Sequence, residues 1–143
     1  MCWVGKNMPL IAKKDINVFK VVYIDCNYIT SAYHQLFLWT LSNKYTTSLD
    51  VRKCYGRMAE ITRGFHCYNP EVVHVEVNRI FAHIDTILHK LDSFTILNEA
   101  RGNLAIMKCV IPAGATYYEN DRGEIVTDRI IPKSYSLVKH ECK

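Results

Sequence analysis

The sequence predicts an α+β fold: a single domain in which one long amphipathic helix packs on a mixed or mostly antiparallel sheet. The length of 143 residues is that of one domain, and no repeat or linker divides it. Its apolar residues, 49% of the total, lie mostly in short runs rich in β-branched and aromatic side chains, which is typical of strands. Residues 70–91 instead repeat their apolar side chains at the helical period.

Strands are predicted where apolar runs are bounded by turn residues. The most apolar are Val18–Ile24 and Leu104–Ile111, and the second ends at Pro112–Gly114 because proline cannot donate to a strand ladder. Residues 1–14 are predicted to be an N-terminal arm, and 52–63 stay open between helix and strand. The other predicted strands are 36–41, 45–49, 64–68, 125–131 and 134–138, with a hairpin loop at 120–123.

The helix is predicted from both its start and its stripe. Asn69, Pro70 and Glu71 supply an N-cap acceptor, a proline for the first turn and an early acid. Because Val72–Val77 also alternates like a strand, the middle of the helix is better defined than its start. The apolar stripe consists of Val73, Val77, Ile80, Phe81, Ile84, Leu88 and Leu91.

Composition excludes several classes of protein. Strictly apolar runs reach only about four residues, so no transmembrane helix is predicted. No secretory signal is recognisable at the amino terminus, which predicts a cytoplasmic protein without a membrane partner. The six cysteines form no Cys-x-x-Cys pair, and no histidine motif accompanies them, so we expect reduced thiols, no metal and no cofactor.

The charge distribution offers one candidate nucleic-acid surface. The net charge is +4, and part of that excess lies beside aromatic residues at 52–68. Positive charge next to aromatic rings is typical of proteins that bind single strands, although a solvated loop has the same pattern. The candidate patch consists of Arg52, Lys53, Arg57 and Arg63.

Catalytic motifs are absent from the sequence: it has no phosphate loop, dinucleotide motif, nucleophile elbow or kinase motif. Cys2 would become an N-terminal nucleophile if Met1 were removed. Trp3 stands where glutamine amidotransferases of that type carry glycine, so we interpret Cys2 as an ordinary cysteine. Asp85 and His89 are one helical turn apart, but two ligands do not make a zinc site. Whether the protein is an enzyme stays open at this stage.

Three stretches together resemble an uncharacterised family of small proteins from gut Bacteroidetes and their phages. They are the amino-terminal region through Val21, the segment Gly64–Tyr68, and Cys109–Tyr118. In that family a Gly-Phe-His-Ser step and an Ile-Pro-Lys-Gly-x-x-Tyr-Tyr step occur in this order. The resemblance spans most of the chain and implies no assigned activity.

A more distant resemblance is to the ADP-ribosyltransferase fold. Gly64–Phe65 is similar to the start of its Gly-Phe-x-Ser-Thr-Ser strand, and Pro112–Gly114 to its later Pro-x-Gly. The chain departs from the pattern at 67–69, which are Cys-Tyr-Asn, and it lacks the Glu-x-Glu or Gln-x-Glu pair. The resemblance implies a nucleotide pocket in which Lys20 contacts phosphate, His66 and Tyr68 line the walls, and Glu119 or Glu124 is the acid.

Three functions are therefore predicted. The first is a non-enzymatic intracellular binding module of phage or mobile-element type, since no acid, base, nucleophile or metal-ligand constellation is visible. The second is a nucleotide-binding protein or ADP-ribosyltransferase-like enzyme, whose side chains must converge on one pocket. The third is single-stranded nucleic-acid binding, which predicts a strong dependence of affinity on salt.

Overall fold

The computed structural model describes residues 3–6, 8–26, 28–31, 38–55, 58–90 and 103–138. The side chains of residues 25, 31, 53–55 and 84–90 are outside that description. The described elements, in chain order, are β1 (Trp3–Lys6), β2 (Leu10–Ile11), β3 (Ile16–Asp25), β4 (Tyr28–Ser31), β5 (Leu38–Trp39), β6 (Tyr45–Thr46), β7 (Asp50–Tyr55), β8 (Met58–Arg63), β9 (Phe65–Tyr68), α1 (Val73–Lys90), β10 (Leu104–Ile111), β11 (Thr116–Glu119), β12 (Glu124–Thr127) and β13 (Arg129–Leu137).

The fold is mostly β, so the α+β prediction is wrong. Among the residues whose side chains the structure describes, strands account for 59% and the helix for 11%. Short segments that were predicted as loop or arm become strands because distant partners pair with them: β1 with β8, and β2 with β11. Both of these strands lie within the segment 1–14 that was predicted as an arm, and the described residues between 52 and 63 lie in the paired strands β7 and β8.

The larger sheet has ten strands, all of its pairs are antiparallel, and it curls back on itself. Its order is β2-β11-β12-β9-β3-β10-β13-β6, with β4 and β5 attached beside β3. Three strands separate β12 from β13 in the sheet, yet only Asp128 separates them in the chain. The sheet must therefore bend until these two strands meet, which gives it a concave and a convex face.

Asp128 holds that bend with its backbone and its side chain. Its carboxylate accepts a hydrogen bond from Thr116 N at 3.0 Å, and its own N–H donates to Thr116 O at 3.1 Å. Its carbonyl accepts from Thr47 N at 2.9 Å, next to β6. Asp128 therefore connects β11 with the residue that follows β6. The buried hydroxyl of Thr127 donates a further hydrogen bond to Thr116 O.

The concave face carries the main apolar core. Residues that alternate along β3 and β10 point into it, as the period of two in a strand requires. The predicted strands Val18–Ile24 and Leu104–Ile111 are confirmed as these neighbours. The buried members of the core are Ala12, Val18, Val22, Ile29, Trp39, Cys67, Ala105, Met107, Cys109, Ile111, Ala115, Ile125 and Ile130.

Two smaller apolar clusters cover the convex face. One packs α1 against β3 and β10, and the described part of the predicted stripe is buried there: Val73, Val77, Ile80 and Phe81. The helix begins at Val73, three residues later than predicted, because 70–72 form a turn in which Val72 N donates to Asn69 O. No helix among the described residues is long and apolar enough to cross a membrane.

The second cluster lies under the three-stranded sheet β1-β8-β7. Trp3 is 7% exposed and packs with Ala59, Ile61, Tyr118 and Val126. Its ring lies over Gly5, where an added Cβ would be only 2.1 Å from the ring. Glycine is therefore required at position 5 by the close approach of the indole.

Candidate functional site

A buried lysine occupies the concave core. Lys20 lies between Val18 and Val22 on the same face of β3, and only 9% of it is exposed. Its ammonium donates a hydrogen bond to the carbonyl of His66 and lies 5.3 Å from the centre of the Trp39 ring. Both contacts favour the charged amine, which burial separates from most of the solvent.

Burial dominates the electrostatics of this lysine. It lowers the pKa of Lys20 from 10.5, and the nearby Cys67 and Cys109 thiols oppose the shift only in part. Burial also raises the pKa of each of these thiols from 9.0 to about 12. Both cysteines therefore stay protonated at neutral pH and are poor nucleophiles.

The position of Lys20 has a structural explanation. Strands β3 and β9 pair only at Phe19 and Tyr68, so their ladder is very short. The Lys20 ammonium donates a hydrogen bond from β3 to the His66 carbonyl on β9, which adds to that single backbone pair. Strand alternation contains a signal for this arrangement, because positions 18, 20 and 22 must share one face.

The structure does not bring the five predicted pocket residues together. Along β9, Cys67 points into the concave core, so His66 and Tyr68 point to the convex face, opposite Lys20. Tyr68 is directly across from Glu124 in the β9–β12 pair. The convergence that the nucleotide hypothesis requires is therefore missing, although Tyr68 and Glu124 are neighbours.

Glu119 lines a polar cleft of about 380 Å³ between β1, the turn before α1 and the β11–β12 turn. Most of the charge in and around this cleft is already paired. Lys6 lies 3.1 Å from Asp121, and Arg122 lies 3.3 Å from Glu124. These ion pairs stabilise the β11–β12 turn, and they leave few charged groups in the cleft to bind a ligand.

The predicted nucleic-acid patch lies on the β7–β8 hairpin, where acidic residues oppose its described arginines. Arg52 is directly across from Glu60, and Arg63 from Asp50. Arg63 also donates to Ser48 Oγ at 3.3 Å. The Lys53 side chain and all of Arg57 lie outside the description, as do Cys2 and the side chains of Asp85 and His89. Within the described residues no group of three or more His, Cys, Asp or Glu is placed to hold a metal.

The exposed edge of β13 is a feature that the sequence did not reveal. The edge segment, Lys133–Leu137, is exposed at every residue and pairs with β10 on one side only. On the other side, β6 pairs only with Arg129 and Ile130. Ser42 N donates a hydrogen bond to the carbonyl of Pro132. No described strand pairs with the outer side of the edge segment.

The hydrogen-bond pattern identifies the backbone groups that point outward. Val138 N donates to Leu104 O at 2.8 Å, which fixes the alternation of this antiparallel pair. Ser136 and Ser134 therefore direct their N–H and C=O groups toward β10. Tyr135 and Leu137 direct theirs away from the sheet, where they meet no described partner.

The side chains around the edge segment are apolar on one face and basic at its start. Tyr135 is 40% exposed and Leu137 57% exposed. Lys133 is the extra residue at a β-bulge, and Lys108 lies across from Ser134 on β10. Neither lysine pairs with an acid in the described part of the chain.

The sequence predicted a strand at 134–138, but whether a strand lies at the edge of a sheet depends on the order of the strands, which no local pattern encodes. The structure instead shows one continuous strand that passes through Pro132. No protein family, curated protein or solved structure matches this chain.

Proposed function

We propose that this protein is a non-enzymatic binding module that takes up an extended, acidic polypeptide segment as an added strand beside β13. The observation that carries the proposal is the outer side of the edge segment, with which no described strand pairs. Its outward N–H and C=O groups offer the backbone bonds by which peptides add to sheet edges. The association with phages and the cytoplasmic location stay predictions from the sequence.

The expected affinity is modest. A docked strand would cover Tyr135 and Leu137, whose full burial stabilises by roughly 1.5–3 kcal/mol each, and both are partly buried already. A few backbone hydrogen bonds add about 1 kcal/mol each. Ordering the segment and fixing the two molecules together cost at least about 4 kcal/mol. The net gain is then at most about 5–6 kcal/mol, so the dissociation constant should be on the order of 100 μM or weaker.

Charge selects the partner. Lysine, proline and a β-bulge at an edge all discourage pairing between identical strands, and this edge has Lys133, Pro132 and a bulge. A second copy would bring Lys108 and Lys133 of two chains close to each other, and each chain already has a net charge of +4. An acidic segment turns the same lysines into attractive contacts, so we favour it over self-association.

Peptides methylated on alternate backbone nitrogens test strand pairing directly. An eight-residue acidic peptide is titrated into isotopically labelled protein, and its affinity is compared with those of two versions, N-methylated at odd or at even positions. Only one set of N–H groups faces β13 in a paired strand. We expect one methylated version to bind at least 10-fold more weakly, and the other to perturb Tyr135 and Leu137 amide signals as the parent does.

Equal loss in both methylated versions, or signal changes away from β13, would contradict strand pairing. Sedimentation of the protein without peptide is the companion measurement. A dimer that dissociates in the Tyr135→Lys variant would identify a second copy as the occupant and overturn the choice of an acidic partner. Thr62→Lys, at an exposed position on β8 in the three-stranded sheet, is the matched control for added charge.

A further inference from the structure

We infer that the segment bound at β13 alternates apolar residues with glutamates, the apolar side chains lying on the face of Tyr135 and Leu137. The inference rests on the proposed strand docking and adds the side-chain pattern that the site selects. It follows from which face of the sheet each residue of the edge segment occupies, and from what lies behind it on β10.

The concave face selects the apolar positions. Tyr135 is directly across from Met107 and Leu137 from Ala105, and both partners are fully buried in the concave core. Residues that pair across antiparallel strands share a face. An added strand therefore places the residues opposite Tyr135 and Leu137 at the outer end of these two rows, where apolar side chains extend the core.

The convex face selects the acidic positions. Ser134 and Ser136 lie on that face, and Ser134 is directly across from the exposed Lys108. A strand added outside β13 is two strand spacings, roughly 9–10 Å, from the backbone of Lys108. The small serine between them leaves the space open for a lysine and an acid to meet above it.

The length of that gap favours glutamate over aspartate. A lysine side chain extends about 6 Å from its Cα, so the acid must supply the remaining few ångströms of reach. Glutamate has one more methylene group than aspartate and therefore reaches Lys108 more easily. Lys133, at the bulge, lies at the start of the same edge and adds attraction for an acid near that end.

Three peptides of one length test this pattern: alternating leucine and glutamate, the same residues with leucines and glutamates in separate blocks, and alternating leucine and aspartate. Affinities are measured by fluorescence anisotropy at two salt concentrations. We expect the block peptide to bind about 10-fold more weakly. The aspartate peptide should bind about 3-fold more weakly, within the range of exposed ion pairs.

Two protein variants connect the preference to the lysine. Lys108→Gln should remove the difference between glutamate and aspartate peptides and weaken the salt dependence. Lys13→Gln, a control at an exposed lysine between β2 and β3, should do neither. Equal binding of alternating and block peptides, with the N-methylation test positive, would refute the pattern but leave strand docking intact. If none of the peptides binds, the proposed function itself fails.

Discussion

The buried amine of Lys20 should be detectable in how the free energy of unfolding depends on pH. Its pKa is lowered in the folded protein, so the unfolded chain binds more protons between that lowered value and 10.5. In that window the contribution of Lys20 to stability rises with pH, by up to about 1.4 kcal/mol per pH unit. Lys20→Met keeps an unbranched apolar chain but removes the titrating group, so this rise should disappear.

The two buried thiols act in the opposite direction. The pKa values of Cys67 and Cys109 are about 12 in the folded protein and 9.0 otherwise, so the folded state holds more protons between these values. Each thiol lowers stability by up to about 1.4 kcal/mol per pH unit above pH 9. Burial also raises the pKa of Tyr23, which adds a smaller loss above pH 10 in every variant.

The signs can now be combined. Between pH 9 and 10.5 Lys20→Met should lose up to about 2.7 kcal/mol of stability per pH unit, because nothing offsets the two thiols. The wild type should lose less per unit, by up to about 1.4 kcal/mol, because the amine offsets part of the effect of the thiols. Urea unfolding, followed by tryptophan fluorescence under reducing conditions, measures both slopes.

The comparison of slopes is independent of how much Lys20→Met changes stability at neutral pH. An exposed lysine provides the control: Lys44→Met should retain the slope of the wild type. Parallel lines for Lys20→Met and the wild type would show that the folded amine titrates normally, and the description of a desolvated Lys20 would then be wrong.

Two further predictions concern the convex cluster and the bend. Gly5→Ala places a Cβ 2.1 Å from the Trp3 ring, so we expect the free energy of unfolding to fall by about 2–4 kcal/mol and tryptophan emission to change. Unchanged stability in thermal or urea unfolding would mean that the indole can move to another position without cost. Asp128→Ala removes the acceptor of Thr116 N and should lower the free energy of unfolding by about 1–3 kcal/mol. The control Asp121→Ala, at a residue whose side chain is 88% exposed, should lower it by less than about 1 kcal/mol, and equal losses would contradict a stabilising role of Asp128 at the bend.

The sequence predicted the elements whose own residues have a strong local pattern. Val18–Ile24 and Leu104–Ile111 are apolar enough to be central strands anywhere, and the start of the helical stripe is buried as its period requires. Strands β1 and β2 have four and two residues, and they exist because β8 and β11 pair with them. Such pairing depends on long-range topology, so no local pattern predicts it.

The candidate site divides in the same way. The alternation of Val18, Lys20 and Val22 already requires a lysine on a buried face, but the sequence does not reveal that Trp39 lies beside it. The β13 edge could not be predicted, because exposure of one side of a strand depends on which strands fail to pair with it. The helix period suggested α+β, yet α1 covers only one part of the convex face.

The bend at Asp128 also determines when, during synthesis, the curled sheet can be completed. The strand that completes the curl, β13, follows every other described strand along the chain. Until it emerges from the ribosome, the concave apolar surface lacks its closing wall, and β10 lacks a neighbour on one side. A nascent chain that stalls before Arg129 would therefore present an incomplete sheet to its surroundings, and chaperone capture should be strongest in that interval.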